Sequence, residues 1–351
     1  MNVDRIKKIA DAVLYEGHLL YPYRASALKN RKRWNFGVLV PEAYHQIQPD
    51  SDACLMRTEC LVEGDEQTTI EVKVRFLHLL KRRVGQLLEP MDACPQSPSF
   101  RYVDTLQVGE RTFQSFDETM ERELDVSPHT LHDLLAGTPR RKFSLSQIHE
   151  WWPLRESGGQ SVGLLVREQE SLTAEVDLTA TRLCDGLFKI SVVVRNTTPV
   201  PVLNATNREQ ILPTSFLSTH AILAVESGSF LSMIDPPEFA RAKAQACCNV
   251  GTWPVLAGEL GERKLLLSAP IILYDNPQVA PESPGDFFDG TEIDEMLTLR
   301  VQTLTDREKQ EVRLTDGQTE SVLERADQLP AEHLQKLHGV LRQLRTAERA
   351  E

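Results

Sequence analysis

The chain has 351 residues, enough for two domains or for one large domain with insertions. Hydrophobic residues make up 41% and charged residues 26%, which is typical of a folded globular protein and excludes wholesale disorder. The net charge of -12 disfavours attraction to nucleic acid or anionic lipid, and no apolar stretch approaches the roughly 18 residues of a membrane helix.

The first residues predict an amphipathic helix over 3–15, because Ile6, Ala10 and Val13 recur at helical spacing. The segment lacks the continuous apolar region and the cleavage site of a signal peptide. We therefore expect a cytoplasmic protein without membrane attachment. None of the six cysteines forms a C-x-x-C pair, so free thiols are expected in a reducing cytosol.

Residues 17–41 form a basic-aromatic arm, in which the rings of Tyr21, Tyr23, Trp34 and Phe36 enclose five bases. Cations beside stacking rings suit single-stranded nucleic acid, but one short patch on an acidic chain favours an acidic protein partner instead. The arm could also pack on its own chain, with its arginines paired to the acids of residues 275–295. The residues predicted to dock a partner or to clamp the fold are Tyr21, Tyr23, Arg24, Lys29, Arg33 and Trp34.

A β-rich region follows the arm. Alternation of apolar and polar residues predicts strands over 57–63, 68–80, 101–106 and 111–114. Ser115 and Glu118 have the spacing of a capping box, which predicts a helix over 116–124. The pair Ser127-Pro128 predicts the start of another helix, because proline is tolerated at the first helical position.

A linker is predicted at residues 137–142, dividing the chain into segments 1–140 and 141–351, or joining parts of one continuous domain. Residues 172–183 and 188–195 alternate about the turn Asp185-Gly186, which predicts an antiparallel hairpin in a β-sandwich-like region. The predicted fold is α+β and β-rich, with antiparallel sheets and a C-terminal amphipathic helix. Further strands are predicted over 221–225, 264–267 and 296–303, and helices after Thr305 and Pro330.

The letters of a nucleophile elbow, G-x-S-x-G, occur at residues 159–163. That motif requires a strand that turns sharply into a helix. Here a loop-like segment precedes the motif and a strand pattern follows it. We therefore interpret it as a glycine-rich turn that enters a strand.

An acidic loop over 275–295 has no Lys or Arg, and its prolines and glycines constrain it. Carboxylates on such a loop are ligands that Ca²⁺ or Mg²⁺ would take, although their order departs from an EF-hand. The alternative is a solvated acidic face. The candidate metal ligands are Asp275, Glu282, Asp286, Asp289 and Glu292.

Two further sets of side chains invite a chemical role. Cys247 and Cys248 are adjacent and would suit a soft metal or a strained redox disulfide, or they are small core residues. His129 and His132 are three residues apart, as on one helical face, which an ordinary polar helix explains equally well.

Three blocks of the sequence resemble one protein family. They are LYEGHLLYPYRASALKNRKRWNFGVLVP, GTWPVL and SAPIILYDNPQVAPESPGDFFDGTEIDEMLTLRVQTLTDREK, at residues 14–41, 251–256 and 268–309. The family is of uncharacterised activity and is associated with gene clusters of the high-affinity, actinobacterial-type nickel-iron hydrogenases. The resemblance implies an accessory role in maturation or assembly. The chain lacks the paired C-x-x-C motifs of a hydrogenase large subunit and the cysteine runs of a small subunit.

Two hypotheses follow from the residues and the resemblance. In the first, the chain is a non-catalytic accessory protein that binds a hydrogenase subunit or a maturation factor and needs no cofactor. In the second, it is a metal-dependent enzyme of hydrolase type that holds a divalent cation on the acidic loop, with His220 and Asp235 as further candidates.

Overall fold

A computed structural model describes residues 4–15, 34–92, 98–137, 140–200, 207–277, 304–313 and 323–324. The helices in these ranges are short. None of the described helices is long and apolar enough to cross a membrane. They are α1 (Asp4–Tyr15), α2 (Glu42–Ile47), α3 (Leu131–Ala136), α4 (Arg208–Ile211), α5 (Arg241–Gln245) and α6 (Asp306–Arg313), with 3-10 turns at Leu212–Thr214 and Glu238–Ala240.

Strands make up most of the described chain. They are β1 (Leu55–Glu63), β2 (Thr69–Met91), β3 (Phe100–Val103), β4 (Thr105–Val108), β5 (Arg111–Gln114), β6 (Phe116–Thr130), β7 (Arg141–Leu145), β8 (Ile148–Arg155), β9 (Ser161–Gln169), β10 (Leu172–Cys184), β11 (Leu187–Asn196), β12 (Leu217–Glu226), β13 (Ser229–Phe230), β14 (Trp253–Ala257) and β15 (Leu265–Ala269).

The strands form two large antiparallel sheets and one small hairpin. Sheet 1 has the order β13-β1-β11-β10-β7. Sheet 2 has the order β14-β15-β12-β2-β9-β8, and β3 and β6 also pair with β2. The hairpin of β4 and β5 forms its own two-stranded sheet and packs against Val84 of β2 and Leu154 of β8. The predicted β-rich, antiparallel architecture is confirmed.

The two sheets face each other and bury the main core between them. Alternate residues of each strand point inward, such as Val72, Val74 and Phe76 of β2 and Ile190 and Val192 of β11. This period of two places every second side chain of a strand in the same layer. The Leu131 and Leu134 side chains of α3 pack against the same core.

Strand β2 extends beyond the sandwich. Its 23 residues span roughly 75 Å at about 3.3 Å per residue. The first half pairs with β12 and β6, and the second half pairs with β9 and β3. The second half is therefore the spine of an extension that also contains β8 and the β4–β5 hairpin.

Glycine permits close packing within the extension. A Cβ atom on Gly85 would lie 2.5 Å from the Phe100 ring, and one on Gly163 would lie 2.3 Å from Leu106. Ser161 is buried at the start of β9, where it pairs with Met91 and Arg155. The G-x-S-x-G segment thus enters a strand, as its context predicts.

The part of the outer face of sheet 2 formed by β12, β14 and β15 is covered by α1. Ile6, Ala10 and Val13 of this helix are buried against Ile222 and Leu267, confirming the predicted amphipathic helix. The Asp11 carboxylate accepts a 2.8 Å hydrogen bond from Arg75 of β2. The helix is held by an apolar stripe and an ion pair.

The predicted helix over 116–124 is wrong, because these residues belong to β6. The Ser115 hydroxyl donates to the Val103 carbonyl and accepts from the Val84 amide, so it ties β6 to its neighbours instead of capping a helix. The helix predicted to open at Ser127-Pro128 begins later, with Thr130 as its N-cap and Asp133 completing the capping box. Pairing with β2 over 13 register positions outweighs the local capping signals.

Other predicted elements have mixed outcomes. The hairpin about Asp185-Gly186 is confirmed as β10 and β11. Thr305 and Glu308 form the predicted capping box, with the Thr305 amide 2.8 Å from Glu308 Oε2. The strand predicted over 296–303 lies outside the described residues, as does the helix predicted after Pro330.

Residue 140 does not separate the sheets. β1 precedes this position and pairs with β11, while β2 pairs with β9 and β12. Arg141 and Lys142, within the predicted linker, belong to β7 of sheet 1. Both sheets therefore combine strands from 1–140 and 141–351, as one continuous domain would.

Candidate partner-binding cleft

A cleft lies where the extension leaves the sandwich. It has a volume of about 1340 Å³, and its lining mixes aromatic, aliphatic and charged side chains. The lining residues are Trp34, Asn35, Asp52, Leu79, Lys81, Arg83, Tyr102, Val103, Asp104, Ser115, Phe116, Asp117, Glu168, Arg208, Glu209, Leu212 and Pro213.

The floor of the cleft is the outer face of β2. Leu79, Lys81 and Arg83 share this face because they alternate along the strand. Lys81 lies directly between its register partners, Asp117 on β6 and Glu168 on β9. Cross-strand neighbours of this kind are about 5 Å apart at Cβ, so a row of charges crosses the floor.

Ion pairs fix part of this row. Arg83 Nη1 is 2.6 Å from Asp117 Oδ1, and both side chains are about one-third exposed. Glu168 Oε1 is 3.3 Å from Nδ1 of His149 on β8, which is an ion pair when the imidazole is protonated. The floor therefore presents positioned charges of both signs to the cleft.

The opposite wall comes from loops at the end of the sandwich. Arg208 Nε donates to Asp52 Oδ2 over 2.7 Å, and its Nη2 donates to the Trp34 carbonyl over 2.5 Å. Trp34 is buried, with φ of 56°, and packs with Val38 and Leu212. One arginine, the first residue of α4, thus contacts both Trp34 of the basic-aromatic arm and Asp52, which precedes β1.

Tyr102 forms the aromatic rim. It is 54% exposed and packs edge-on against Phe100, with ring centroids 5.2 Å apart. Partial burial and the negative charge of Glu168 raise the pKa of Tyr102, whereas Arg83 lowers it. The phenol is therefore protonated at neutral pH and can donate a hydrogen bond to a ligand.

Taken together, the cleft offers cations, carboxylates, a phenol and apolar surface along one concave face. A polypeptide segment presents the same mixture of groups, and protein interfaces combine an apolar centre with a polar rim. The arrangement suits recognition of another protein.

The predicted docking residues divide between the cleft and the part of the chain outside the described residues. Trp34, one of the residues predicted to dock a partner, lines the wall of the cleft. The other five, Tyr21, Tyr23, Arg24, Lys29 and Arg33, lie outside the described residues.

Of the five predicted metal ligands, Asp275 lies within the described residues. Its Oδ1 accepts from the Leu256 amide over 2.8 Å, and its Oδ2 accepts from the Ser232 hydroxyl over 2.5 Å. Glu282, Asp286, Asp289 and Glu292 lie outside the described residues. Within the part of the chain that the structure describes, no three His, Cys, Asp or Glu side chains group as a metal site.

The two additional metal candidates also have local partners. His220 is buried in β12, and its Nδ1 is 2.9 Å from the Ser218 carbonyl oxygen. Burial lowers the pKa of His220 to about 4, with a further contribution from the Arg75 charge. The Asp235 amide is bonded to the Ser232 hydroxyl. These contacts give the His220 side chain and the Asp235 backbone amide roles in the fold.

The adjacent cysteines are free thiols. Cys247 is half-buried and donates to the Lys243 carbonyl oxygen over 3.5 Å. Burial, followed by the charge of Glu59, raises the pKa of Cys247 to about 11, so the protonated thiol predominates at neutral pH. Cys248 is exposed, and its amide donates to Glu59 of β1. The segment thus serves as a contact to sheet 1.

The floor residues Lys81, Arg83, Asp117 and Glu168 were not among the predicted site residues. A signal was available, because the bases at 81–83 directly follow the apolar alternation of β2. Asp117 and Glu168 had no comparable signal, since only strand pairing brings them beside Lys81.

Comparison of the chain with protein-family models, with curated proteins and with solved structures gives no match.

Proposed function

We propose that this chain is a non-catalytic, cytoplasmic accessory protein that binds another protein during maturation or assembly of a nickel-iron hydrogenase. The observation that supports binding is the 1340 Å³ cleft with its fixed row of charges. The hydrogenase context rests on the resemblance of the three sequence blocks. The first block supplies Trp34 and Asn35 to the cleft wall, so the resemblance includes part of the proposed site.

A metal-dependent enzyme is the weaker candidate. Asp275 uses both carboxylate oxygens in hydrogen bonds to Ser232 and Leu256, and a cation at that position would have to compete with both donors. Metal analysis of the purified full chain tests this alternative. A stoichiometric divalent cation that is lost in Asp286→Ala and Asp289→Ala proteins, both still folded, would favour the enzyme.

The binding proposal is tested by purifying the tagged full chain from cells that express the whole hydrogenase gene cluster. We expect a hydrogenase subunit or maturation factor to co-purify. Lys81→Glu should weaken the complex about tenfold in dissociation constant, which corresponds to about 1.4 kcal/mol, and so lower the recovered partner, because it reverses the charge at the centre of the cleft floor.

The matched control is Arg155→Glu, which reverses an exposed cation at the end of β8 outside the cleft lining. It should leave recovery unchanged. Equal recovery with Lys81→Glu and with the natural chain would exclude the cleft as the contact. Recovery of partners unrelated to the hydrogenase would overturn the biological context while leaving the binding role in place.

A further inference from the structure

Three arginines from neighbouring strands occupy the other face of the extended sheet, opposite the cleft floor. Arg82 of β2 and Arg167 of β9 are register partners. Arg122 of β6 pairs in register with Phe76, whose side chain lies in the inter-sheet core. All three therefore project on the inner side of sheet 2, where the apolar core gives way to polar residues.

Carboxylates are scarce in this arginine cluster. Glu118 is shared by Arg82 Nη1 at 2.7 Å and Arg167 Nη2 at 3.2 Å. Arg122 Nη2 instead donates to the neutral Gln169 Oε1 over 2.6 Å. Among the described residues, even with Glu150, which lies opposite Arg167 on β8, the cations of this cluster outnumber the carboxylates by three to two. The described part of the cluster is therefore positively charged, on a chain whose net charge is -12.

Fixed neighbours hold these guanidinium groups in place. Gln169 is buried, and its amide nitrogen donates to the His78 and Leu79 carbonyls, which orients its oxygen toward Arg122. The Arg82 guanidinium lies 5.9 Å from the Phe116 ring centroid, and that of Arg167 lies 5.5 Å from the Trp152 ring centroid. Stacking of this kind restricts the orientation of a planar guanidinium.

Donor capacity remains after these contacts are made. Among the described residues, the Nε atoms of Arg122 and Arg167 are buried and have no hydrogen-bond partner. A buried donor without a partner costs free energy, and a guanidinium has five N–H groups to satisfy. Arg167 and Trp152 are about two-fifths exposed, which gives a ligand access from solvent.

We propose that the arginine cluster is a binding site for a phosphate group. Several oriented guanidinium groups match the oxygens of a phosphate in bidentate geometry, and a doubly charged anion offsets the local excess of positive charge. The site would recognise a phosphorylated small molecule or a phosphorylated side chain through the same chemistry. Its arginines lie on the opposite sheet face from Lys81, Asp117 and Glu168 of the cleft floor.

Inorganic phosphate is the probe, titrated into the purified full chain at constant ionic strength adjusted with sodium chloride. We expect saturable heat in calorimetry and a rise in the unfolding temperature that follows the same dissociation constant. Arg122→Gln should weaken binding at least tenfold. The matched control is Arg101→Gln, which alters an exposed arginine of β3 that is bonded to Gln86 of β2, and it should bind phosphate as the natural chain does.

Two results would overturn the site. One is an absence of saturable binding to the natural chain. The other is phosphate binding that survives in folded Arg122→Gln protein or, should that variant not fold, in Arg167→Gln protein, which changes a more exposed guanidinium. Succinate is titrated in parallel, and binding of succinate without phosphate would contradict the assignment to a phosphate group. Phosphorylated peptides and phosphorylated sugars then distinguish the two sources of the ligand.

Discussion

Charged residues beneath α1 show how sheet 2 tolerates a buried cation. Arg75 is 2% exposed and contacts three carboxylates: Asp11 at 2.8 Å, Glu121 at 3.2 Å and Glu123 at 3.0 Å. A buried charge of this kind is tolerated only with close partners. His220 is the register partner of Arg75 on β12, so a neutral imidazole there avoids a second buried positive charge.

The free energy of unfolding should fall in acid, because the folded chain keeps two buried histidines neutral at a pH where the unfolded chain protonates them. Burial, with a contribution from Arg122, lowers the pKa of His78 to about 3, and burial lowers the pKa of His220 to about 4, against 6.5 for the free side chain. The unfolded chain binds these protons between pH 6.5 and these lower values, so stability is lost as pH falls through that window. The loss from pH 8 to pH 5 should be about 2 kcal/mol for each histidine.

The measurement is urea unfolding at pH 8 and pH 5. His78→Gln and His220→Gln should each flatten the pH dependence by about that amount, whatever their effect at pH 8. His149→Gln is the control, because its side chain is 64% exposed. An unchanged pH dependence in both buried variants would show that other groups control acid unfolding.

At the scale of elements, α1 is held by packing. A helix of 12 residues is marginal in isolation, so its stability comes from the apolar face buried on sheet 2. Ile6 is fully buried at this contact. It belongs to the apolar stripe that the helical spacing predicts, and it packs against the surface formed by β12, β14 and β15.

Ile6→Ala should lower the free energy of unfolding by about 2–4 kcal/mol, because it removes buried methylene groups and leaves a cavity. Ile47→Ala is the matched control, since Ile47 is 57% exposed and its truncation should change stability by less than about 0.5 kcal/mol. Chemical denaturation of both variants gives the comparison. Equal effects would mean that α1 does not contribute its buried face to the folded state.

At the scale of the whole molecule, the two halves of the chain are interleaved. Strand β1 lies between β11 and β13, and β2 lies between strands from both halves. Separated fragments would leave these central strands without their hydrogen-bonding neighbours. Because strands that are distant in sequence pair with each other, we expect the two halves of the chain to fold and unfold as one cooperative unit.

Fragments 1–140 and 141–351 should accordingly fail to fold alone. We expect each to lack a cooperative thermal transition by circular dichroism, and co-expression of both to restore one. Cooperative unfolding of either fragment by itself would support two independently stable domains.

The sequence by itself determined the elements whose pattern and local chemistry agree. The alternation in the first half of β2, the Asp185-Gly186 turn between β10 and β11, and the stripe of α1 needed no tertiary information, because a turn or one apolar face specifies each. The Thr305 and Glu308 capping box is similarly local. These features fix a β-rich, antiparallel fold.

Tertiary structure decided the rest, including β6 and both candidate sites. Ser115 and Glu118 carry a helix signal, yet pairing with β2 makes the segment a strand, because register contacts along a long strand exceed one capping interaction. Lys81 meets Asp117 and Glu168, and Arg82 meets Arg167, only through pairing between residues far apart in sequence. Contacts between strands that are distant in sequence leave no local sequence pattern, because the order of the strands is set by the burial of whole sheet faces.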